Sequence, residues 1–478
     1  MADEPRVIPI AADSAPAVSM YASEATIHAR AVHGWFAAWR WILVWATQLV
    51  FYGLPWLTWN DRPAVLFDLG ARRFYIFALV LYPQDFIYLT GLLILSAYGL
   101  FLFTAVAGRL WCGYACPQTV YTEIFMWVEH HLEGDRPARI RLDRSPWNLN
   151  KIARRGGKHV VWAAIGLWTG FTFVGYFTPI RSLAAGVLQF GLGPWETFWI
   201  LFYGFATYGN AGFMREQVCK YMCPYARFQS AMFDHDTLII SYDERRGEPR
   251  GGRARTADKA ALGVGDCVDC TLCVQVCPTG IDIRKGLQYE CIGCAACIDV
   301  CNGVMDRMDY PRGLIRYATQ RSLQEGGAPL TLRRVLRPRV LIYGVVLLLI
   351  GGAFVTSLAL RAPFRVDVVR DRGSLARMVD DGRIENVYSL QLMNTTETPQ
   401  RYSITAGGID GARAIVRGAT DLAPAESRWV PVAVQIELAQ ASALGPGAHK
   451  MEFHITRAAA AGQAPVTLVE ASTFVVPR

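Results

Sequence analysis

The sequence predicts a multi-domain membrane protein with an α-helical transmembrane bundle of about five spans, a cysteine-rich cytoplasmic module and a C-terminal all-β domain of immunoglobulin-like type. Three observations predict this fold class. Hydrophobic residues make up 52% of the 478 residues, which is above the usual content of soluble proteins. Twelve cysteines fall into four closely spaced groups, and short alternating stretches fill the last quarter of the chain.

Five apolar segments account for the predicted spans. A transmembrane helix needs about 20 apolar residues, and the segments that approach this length are residues 41–57, 86–107, 160–177, 195–213 and 340–360. The fifth segment contains no charged residue. The fourth contains Glu196 and Asn210, so a re-entrant or interfacial placement is its alternative.

Lysine and arginine in the connecting loops predict the orientation. Residues 108–159 contain nine of them and residues 214–339 contain nineteen, whereas residues 58–85 contain three and residues 178–194 one. Because positive loops stay in the cytoplasm, both cysteine-bearing loops are predicted inside and the C-terminal domain outside. Four arginines after the fifth segment lie on the unexpected side: Arg361, Arg365, Arg370 and Arg372.

These observations divide the chain into five parts. The predicted parts are an N-terminal cytoplasmic segment (1–40), a region with the first four spans (41–214), a cytoplasmic region (215–339) with its cysteine-rich module at about 258–312, a fifth transmembrane helix (340–360) and a β-sandwich (361–478). The last part contains alternating stretches such as ENVYSLQLMN and HKMEFHITR between turns, as expected for strands of an immunoglobulin-like sandwich.

Eight cysteines form a duplicated cluster-binding motif. Residues 267–278 have the spacing C-x2-C-x2-C-x3-C-P, and residues 291–302 repeat it with Asn302 in place of the proline. In such pairs the fourth cysteine of each motif binds the cluster of the other motif. The motif predicts two 4Fe-4S clusters, one held by Cys267, Cys270, Cys273 and Cys301, the other by Cys291, Cys294, Cys297 and Cys277.

Two alternatives account less well for this motif. A disulfide framework is typical of small secreted domains. Zinc also binds four thiolates but does not explain the crossed double motif. The cytoplasmic placement agrees with cluster chemistry, since free thiolates survive better in a reducing compartment.

The other four cysteines lie at the predicted cytoplasmic ends of the second and fourth spans. Cys112 and Cys116, and likewise Cys219 and Cys223, are four residues apart, and a proline follows each pair. Residues at this spacing share a helix face. Soft thiolates select Cu(I), zinc or iron–sulfur, so one or two copper sites are predicted, with a redox-active dithiol or a further cluster as alternatives.

Several other classes of protein lack support. The five predicted spans contain no histidine for a membrane haem, and the chain has no CxxCH, Walker or GxGxxG motif. The net charge of +8 is concentrated in loops beside apolar segments, which argues against nucleic acid as a partner. His130 and His131 are near the first cysteine pair and are interpreted either as metal ligands or as a solvated pair.

Several segments together resemble the cytochrome c oxidase accessory proteins of the CcoG/FixG/RdxA family. They are YGLPWLTWNDRPAVLFDLGARRFYIF, WCGYACPQTVYTEIFMWVEHHLEGDR, CKYMCPYARFQSAM, GLQYECIGCAACIDVC and MDYPRGLIRY. The resemblance runs from about Val32 to the end of the sequence. It implies a bacterial inner-membrane protein with a periplasmic immunoglobulin-like domain, which reduces Cu(II) to Cu(I) on the cytoplasmic side for assembly of cbb-type cytochrome c oxidase.

The predicted function is therefore an oxidoreductase, a cupric reductase, with the four membrane-edge cysteines as catalytic and copper-binding residues. The alternatives are a non-enzymatic copper carrier or assembly scaffold and a quinol-linked electron-transfer subunit. The resemblance implies a copper-transporting P-type ATPase and oxidase assembly factors as partners, besides membrane lipid and an unknown electron donor.

Overall fold

The computed structural model describes residues 27–325, 336–371, 373, 376–379, 382–458 and 464–477. Most of the predicted N-terminal segment (1–40) and part of the loop before the fifth span therefore lie outside the described residues. In the described part the α-helices are α1 (Trp35–Gly53), α2 (Phe86–Ala107), α3 (Leu110–Tyr114), α4 (Pro117–Glu133), α5 (Arg136–Arg144), α6 (Leu149–Val174), α7 (Ile180–Leu188), α8 (Pro194–Gly209), α9 (Pro224–Met232), α10 (Glu244–Gly247), α11 (Leu272–Gln275), α12 (Ala296–Met308), α13 (Gln320–Gln324), α14 (Pro338–Ala359) and α15 (Leu438–Leu444).

Each of the five predicted apolar segments overlaps a helix, namely α1, α2, α6, α8 and α14. Within the described residues, two helical stretches are long and apolar enough to cross a membrane, Pro83–Ala107 and Pro338–Ala359. The other three helices do not meet this standard. The helix of the fourth segment, α8, has 16 residues and continues as a π-helical turn at Asn210–Met214.

Helices α6 and α8 pack closely through small residues. A methyl group at Gly170 would lie 2.2 Å from the carbonyl oxygen of Ile200, and one at Gly166 would lie 2.7 Å from that of Gly204. Glycines four residues apart that let helix backbones meet are typical of helix pairs in membranes.

The strands of the described part form five antiparallel sheets. They are β1 (Thr58–Trp59), β2 (Arg62–Pro63), β3 (Val65–Asp68), β4 (Arg73–Ile76), β5 (Leu79–Leu81), β6 (Ile239–Tyr242), β7 (Ile315–Ala318), β8 (Phe364–Arg370), β9 (Arg377–Met378), β10 (Ile384–Asn394), β11 (Gln400–Gly407), β12 (Arg413–Val416), β13 (Asp421–Leu422), β14 (Ser427–Ile436), β15 (Gly447–Arg457) and β16 (Val466–Val476).

The strands after residue 361 form the predicted sandwich. One sheet has the order β12-β14-β10-β8, with β9 also paired to β10, and the other has the order β13-β11-β15-β16. The two sheets enclose a core that includes Tyr388, Leu390, Val432, Phe453 and Phe474, all fully buried. The alternating pattern of the sequence produces this core because successive side chains of a strand point to opposite faces.

A small sheet between α1 and α2, β3-β4-β5, packs on the sandwich. Tyr82 donates its hydroxyl hydrogen to the carbonyl oxygens of Asn394 (3.1 Å) and Ala425 (3.0 Å). The fully buried carboxylate of Asp85 forms ion pairs with Arg361 and Arg365. These two arginines, which lie on the unexpected side in the sequence, therefore share one buried carboxylate as their partner. Arg372 lies outside the described residues.

The cysteine-rich module lies between α9 and α14. The two-stranded sheet β6-β7 closes it, and its core includes Ile240, Ile283, Ile298, Met305 and Leu314. Helix α12 of this module contacts α1, since the Asp299 carboxylate accepts the backbone N–H groups of Phe36 (3.3 Å) and Ala37 (2.8 Å). A carboxylate at a helix N-terminus satisfies free N–H groups and favours the helix dipole.

Candidate metal centres

The first candidate cluster site brings together Cys267, Cys270, Cys273 and Cys301. These four cysteines line one cavity, with Val268, Leu272, Val304, Met305, Leu314 and Ile315 among the apolar residues around it. Cys301 comes from helix α12 in the second motif, whereas the other three belong to the first motif. The structure therefore places together the four residues predicted for this cluster.

The second candidate site brings together Cys277, Cys291, Cys294 and Cys297. They line a second apolar cavity with Ile240, Ile281, Ile283, Ile292 and Ala296, and Cys273 borders this cavity as well. Cys277 belongs to the first motif, so the chain crosses between the two sites in the predicted way. Which cysteine binds which cluster stays a prediction.

Both motifs have the same local backbone, which is suited to wrapping a cluster. The residues on either side of the second cysteine have positive φ: Asp269 (50°) and Thr271 (56°) in the first motif, Gly293 (71°) and Ala295 (61°) in the second. Left-handed residues are uncommon outside glycine, so this repetition marks a specific turn. Successive turns of this kind direct backbone N–H groups inward, as in many iron–sulfur sites.

The thiols of these sites are chemically suited to a cationic cofactor. Burial raises the pKa of Cys273 to about 11, and burial also raises the pKa of Cys294. Isolated thiols here would stay protonated, whereas a bound metal deprotonates a coordinating thiol. The eight residues present therefore fit two 4Fe-4S clusters.

The deviation at Asn302 has a structural reason. Helix α12 runs from Ala296 through Asn302 to Met308, and a proline inside a helix would remove a backbone hydrogen bond. The Asn302 side chain instead accepts the backbone N–H of Gly313 (3.0 Å). After the first motif, α11 ends at Gln275, before Pro278. The asparagine thus belongs to the longer helix and leaves the cysteines in place.

Replacement of Cys277 by serine tests the crossed arrangement. We expect the variant to lose the cluster whose other ligands are Cys291, Cys294 and Cys297, so that iron falls from about eight to about four atoms per chain. Anaerobic iron analysis with EPR measures this loss. Fewer than about two irons per wild-type chain would contradict the two-cluster prediction.

The four membrane-edge cysteines have a local structure that differs from the predicted one. Cys112 lies in α3, and Cys219 lies in a π-helical stretch, Val218–Met222. Cys116 and Cys223 are extended residues that immediately precede α4 and α9. The expectation that each pair shares one helix face is therefore wrong. The physical reason is the proline after each pair, which disfavours helical geometry in the preceding residue.

The fold nevertheless brings the two pairs into one neighbourhood. Cys219 is close enough to Cys112, Cys116 and Cys223 for all three to raise its pKa, after the larger effect of burial. The Cys112 thiol donates to the side-chain oxygen of Gln229 (3.3 Å). Over the ranges that the structure describes, no three His, Cys, Asp or Glu side chains already converge as the ligands of a single ion.

Burial disfavours the thiolate form of two of these cysteines. It is the main cause that raises the pKa of Cys112 to about 11 and that of Cys219 to about 12. Reactive cysteines have a lowered pKa, because the thiolate is the nucleophile. Neither of these two thiols has such a lowered pKa, and a bound soft metal ion would displace their protons.

The first pair lies directly against the second cluster site. A methyl group at Gly113 would lie 2.8 Å from the backbone nitrogen of Cys294, and one at Gly293 would lie 3.0 Å from the carbonyl oxygen of Arg109. Cys112 and Cys219 pack on the apolar cluster that contains Ile292 and Cys294. The segment of the first pair is thus in direct van der Waals contact with the loop that carries Cys294.

Sequence reasoning missed two residues of this contact, Gly113 and Arg109. The buried Arg109 guanidinium lowers the pKa of Cys112, Cys219 and Cys291, although burial outweighs it at all three. An arginine three residues before the first CxxxCP phrase is the signal that was available.

Comparisons with known proteins agree with this architecture. The family profile described as a 4Fe-4S dicluster domain matches residues 214–320, a profile described as a 4Fe-4S binding domain matches residues 89–133, and one described as an IG-like fold at the C-terminal of FixG matches residues 354–477. The predictions of iron–sulfur domains and of an immunoglobulin-like C-terminal domain are confirmed.

Two relatives match most of the chain. Nitrogen fixation protein FixG of Rhizobium meliloti is 40% identical over 448 residues, which cover 87% of this chain and 85% of that protein. Protein RdxA of Cereibacter sphaeroides is 39% identical over 414 residues, which cover 84% of this chain and 87% of that protein. A crystal structure of a FixG-related protein from Vibrio parahaemolyticus is 22% identical, covers 24% of this chain and 97% of its own, and has a TM-score of 0.21. The two long matches confirm the predicted resemblance: the chain belongs to the FixG/RdxA family of iron–sulfur proteins.

Proposed function

We propose that the chain is a membrane-bound cupric reductase, which reduces Cu(II) to Cu(I) on the cytoplasmic side of the bacterial inner membrane for assembly of cbb-type cytochrome c oxidase. Four-iron clusters, when bound, accept and release single electrons. The observation that carries the proposal is the contact between Gly113 and the backbone of Cys294. This contact joins the copper-binding thiols to the second cluster site.

The arrangement supports an electron path that runs from the first candidate cluster site through the second to these thiols. In the first site Cys270 is exposed, whereas in the second Cys294 is buried and packs near Cys112 and Cys219. A soluble or membrane-bound donor therefore reaches the first site from solvent. The second site faces the copper. This order gives electrons an entry at the first site and an exit at the second.

The four thiols bind the product more tightly than the substrate. Soft thiolates prefer Cu(I), so Cys112, Cys116, Cys219 and Cys223 stabilise the reduced ion and make its formation more favourable. Their partial burial limits access of water and oxygen. Cu(I) then passes to a partner, for which a copper-transporting P-type ATPase and oxidase assembly factors are our proposed candidates.

Steady-state copper reduction tests this function. Purified protein with loaded clusters, given an electron donor that does not itself reduce Cu(II), is expected to reduce Cu(II) over many turnovers, and the same protein without its clusters is not. A copper carrier would bind Cu(I) without turnover. A quinol-linked electron-transfer subunit would accept electrons from quinol and leave Cu(II) unchanged.

A third cluster at the membrane-edge thiols is a second candidate. The profile described as a 4Fe-4S binding domain matches residues 89–133, which include Cys112 and Cys116 and none of the eight ferredoxin-type cysteines. The two assignments differ in metal content. Three clusters require about twelve irons per chain and two require about eight, so iron and copper analysis of one anaerobic sample decides between them.

We also propose a multi-pass topology with five crossings, the cysteine-rich regions inside and the sandwich in the periplasm. The support is the asymmetry of lysine and arginine between loops. Alkaline phosphatase, which is active outside the cytoplasm, is expected to be active when fused after Pro477 and inactive when fused after Asp258. Activity of a cytoplasm-dependent reporter after Pro477 would contradict this topology.

A further inference from the structure

A polar pocket, which the four thiols do not line, lies against the cluster module. Its volume is about 630 Å³, and its walls are residues 29–34, the first turns of α1 and one side of α4. Val276 and Pro278, the two sequence neighbours of Cys277, also line it. A ligand in this pocket would therefore lie beside the second candidate cluster site.

Imidazoles are concentrated in this pocket. Of the eight histidines in the sequence, His33, His130 and His131 line it. Others are engaged elsewhere: His28 contacts Asp143 (2.8 Å) and His159 contacts the Tyr208 hydroxyl (3.0 Å). The Glu123 carboxylate and the Met126 thioether line the same pocket. Imidazole with a carboxylate or thioether is a donor set that suits copper.

One of these histidines has the outer hydrogen-bond partner that is typical of a metal ligand, and a second lies near a carboxylate. Nδ1 of His131 lies 2.8 Å from the carbonyl oxygen of Trp127, which only accepts, so Nδ1 carries the proton and Nε2 has a free lone pair. Nδ1 of His130 faces the Asp135 carboxylate at 4.0 Å. Metal-binding histidines usually donate their other N–H to a carbonyl or carboxylate oxygen.

The cationic side chains of this pocket have carboxylate partners. Arg40 pairs with Glu123 (3.3 Å), Arg30 faces Asp135 (3.8 Å), and Arg139 pairs with Glu129 (2.7 Å), which also pairs with Arg215. The imidazole rings of His130 and His131 are 5.6 Å apart. No three donor side chains of the described residues already converge on one point, so a bound ion would have to draw these two rings and His33 together.

We propose that this pocket, here called the histidine pocket, binds Cu(II) through His33, His130 and His131 before the ion is reduced. The inference rests on the proposed function, since it names the site that takes up the substrate. It also has a chemical reason. Cu(II) favours nitrogen and oxygen ligands, whereas thiolates select Cu(I), so imidazole ligands suit uptake of the substrate and the thiolates suit the product.

The test uses the full chain with all four membrane-edge cysteines replaced by serine, so that copper bound elsewhere is visible. Oxidised protein is titrated with Cu(II), and EPR with pulsed detection of nitrogen couplings measures the bound ion. We expect a Cu(II) signal with imidazole nitrogens that H33A/H130A/H131A reduces by at least about tenfold. The matched control, H235A/H449A/H454A, removes three histidines outside the histidine pocket and is expected to leave the signal unchanged.

The nitrogen couplings of the parent protein give a result that does not depend on the folding of the triple variant. A Cu(II) signal without imidazole couplings, or one that the control variant loses equally, would overturn the proposal. Its failure differs from failure of the proposed function. If only the histidine pocket is wrong, thiol-dependent copper reduction persists; if the reductase is wrong, thiol replacement leaves reduction unchanged whatever the EPR shows.

Discussion

Replacement of both Cys219 and Cys223 by serine is expected to abolish Cu(I) binding at the membrane edge and to lower Cu(II) reduction by at least about a hundredfold, since loss of even an outer partner of a metal ligand typically costs 10–100-fold. The second pair supplies half of the four thiols that the fold brings together. Hydroxyl groups do not replace thiolates as ligands of a soft ion.

The same variant is expected to retain both cluster signals. The eight ferredoxin-type cysteines line other cavities, which neither Cys219 nor Cys223 borders. Anaerobic copper analysis, EPR and steady-state reduction measure the three properties in one preparation. Reduction at the parental rate would remove the thiols from the proposed site. Loss of about four irons with copper binding intact would assign them to a further cluster.

Replacement of Gly113 by alanine is expected to separate the copper site from the second cluster site. The added methyl group would lie 2.8 Å from backbone atoms of Gly293 and Cys294, which cannot move as a side chain can. Overpacking of this kind typically costs 1–3 kcal/mol. Because a displacement of about 1 Å can cost about a hundredfold in rate, we expect copper reduction to fall by about tenfold or more.

Gly303 offers a matched control in the same module. It lies inside α12, and an added methyl group there would meet no atom within 4 Å. We expect G303A to keep the parental reduction rate and to stabilise the module by up to about 1 kcal/mol, because alanine is the better helix former. Equal rates for G113A and G303A would show that the close contact at Gly113 has no part in the reaction.

Much of the fold followed from local patterns. The alternating stretches after residue 361 predict strands, and the structure has β10 and β15 within them because each strand buries alternate side chains in a common core. The apolar segments predict helices in the same way. Local patterns alone did not identify β4 and β5. Their partner, the sandwich, is about three hundred residues away in the chain.

For the candidate sites, too, some features follow from local sequence patterns and others only from the tertiary structure. The repeated cysteine spacing by itself predicts eight ligands and their crossed assignment, because so short a chain cannot surround a cluster without its sister motif. Only the tertiary structure decided that the first CxxxCP pair touches the Cys294 loop, that both pairs share one neighbourhood, and that three histidines from two distant segments line one pocket. Such contacts depend on how helices pack, and no spacing within a single segment encodes the distance between segments.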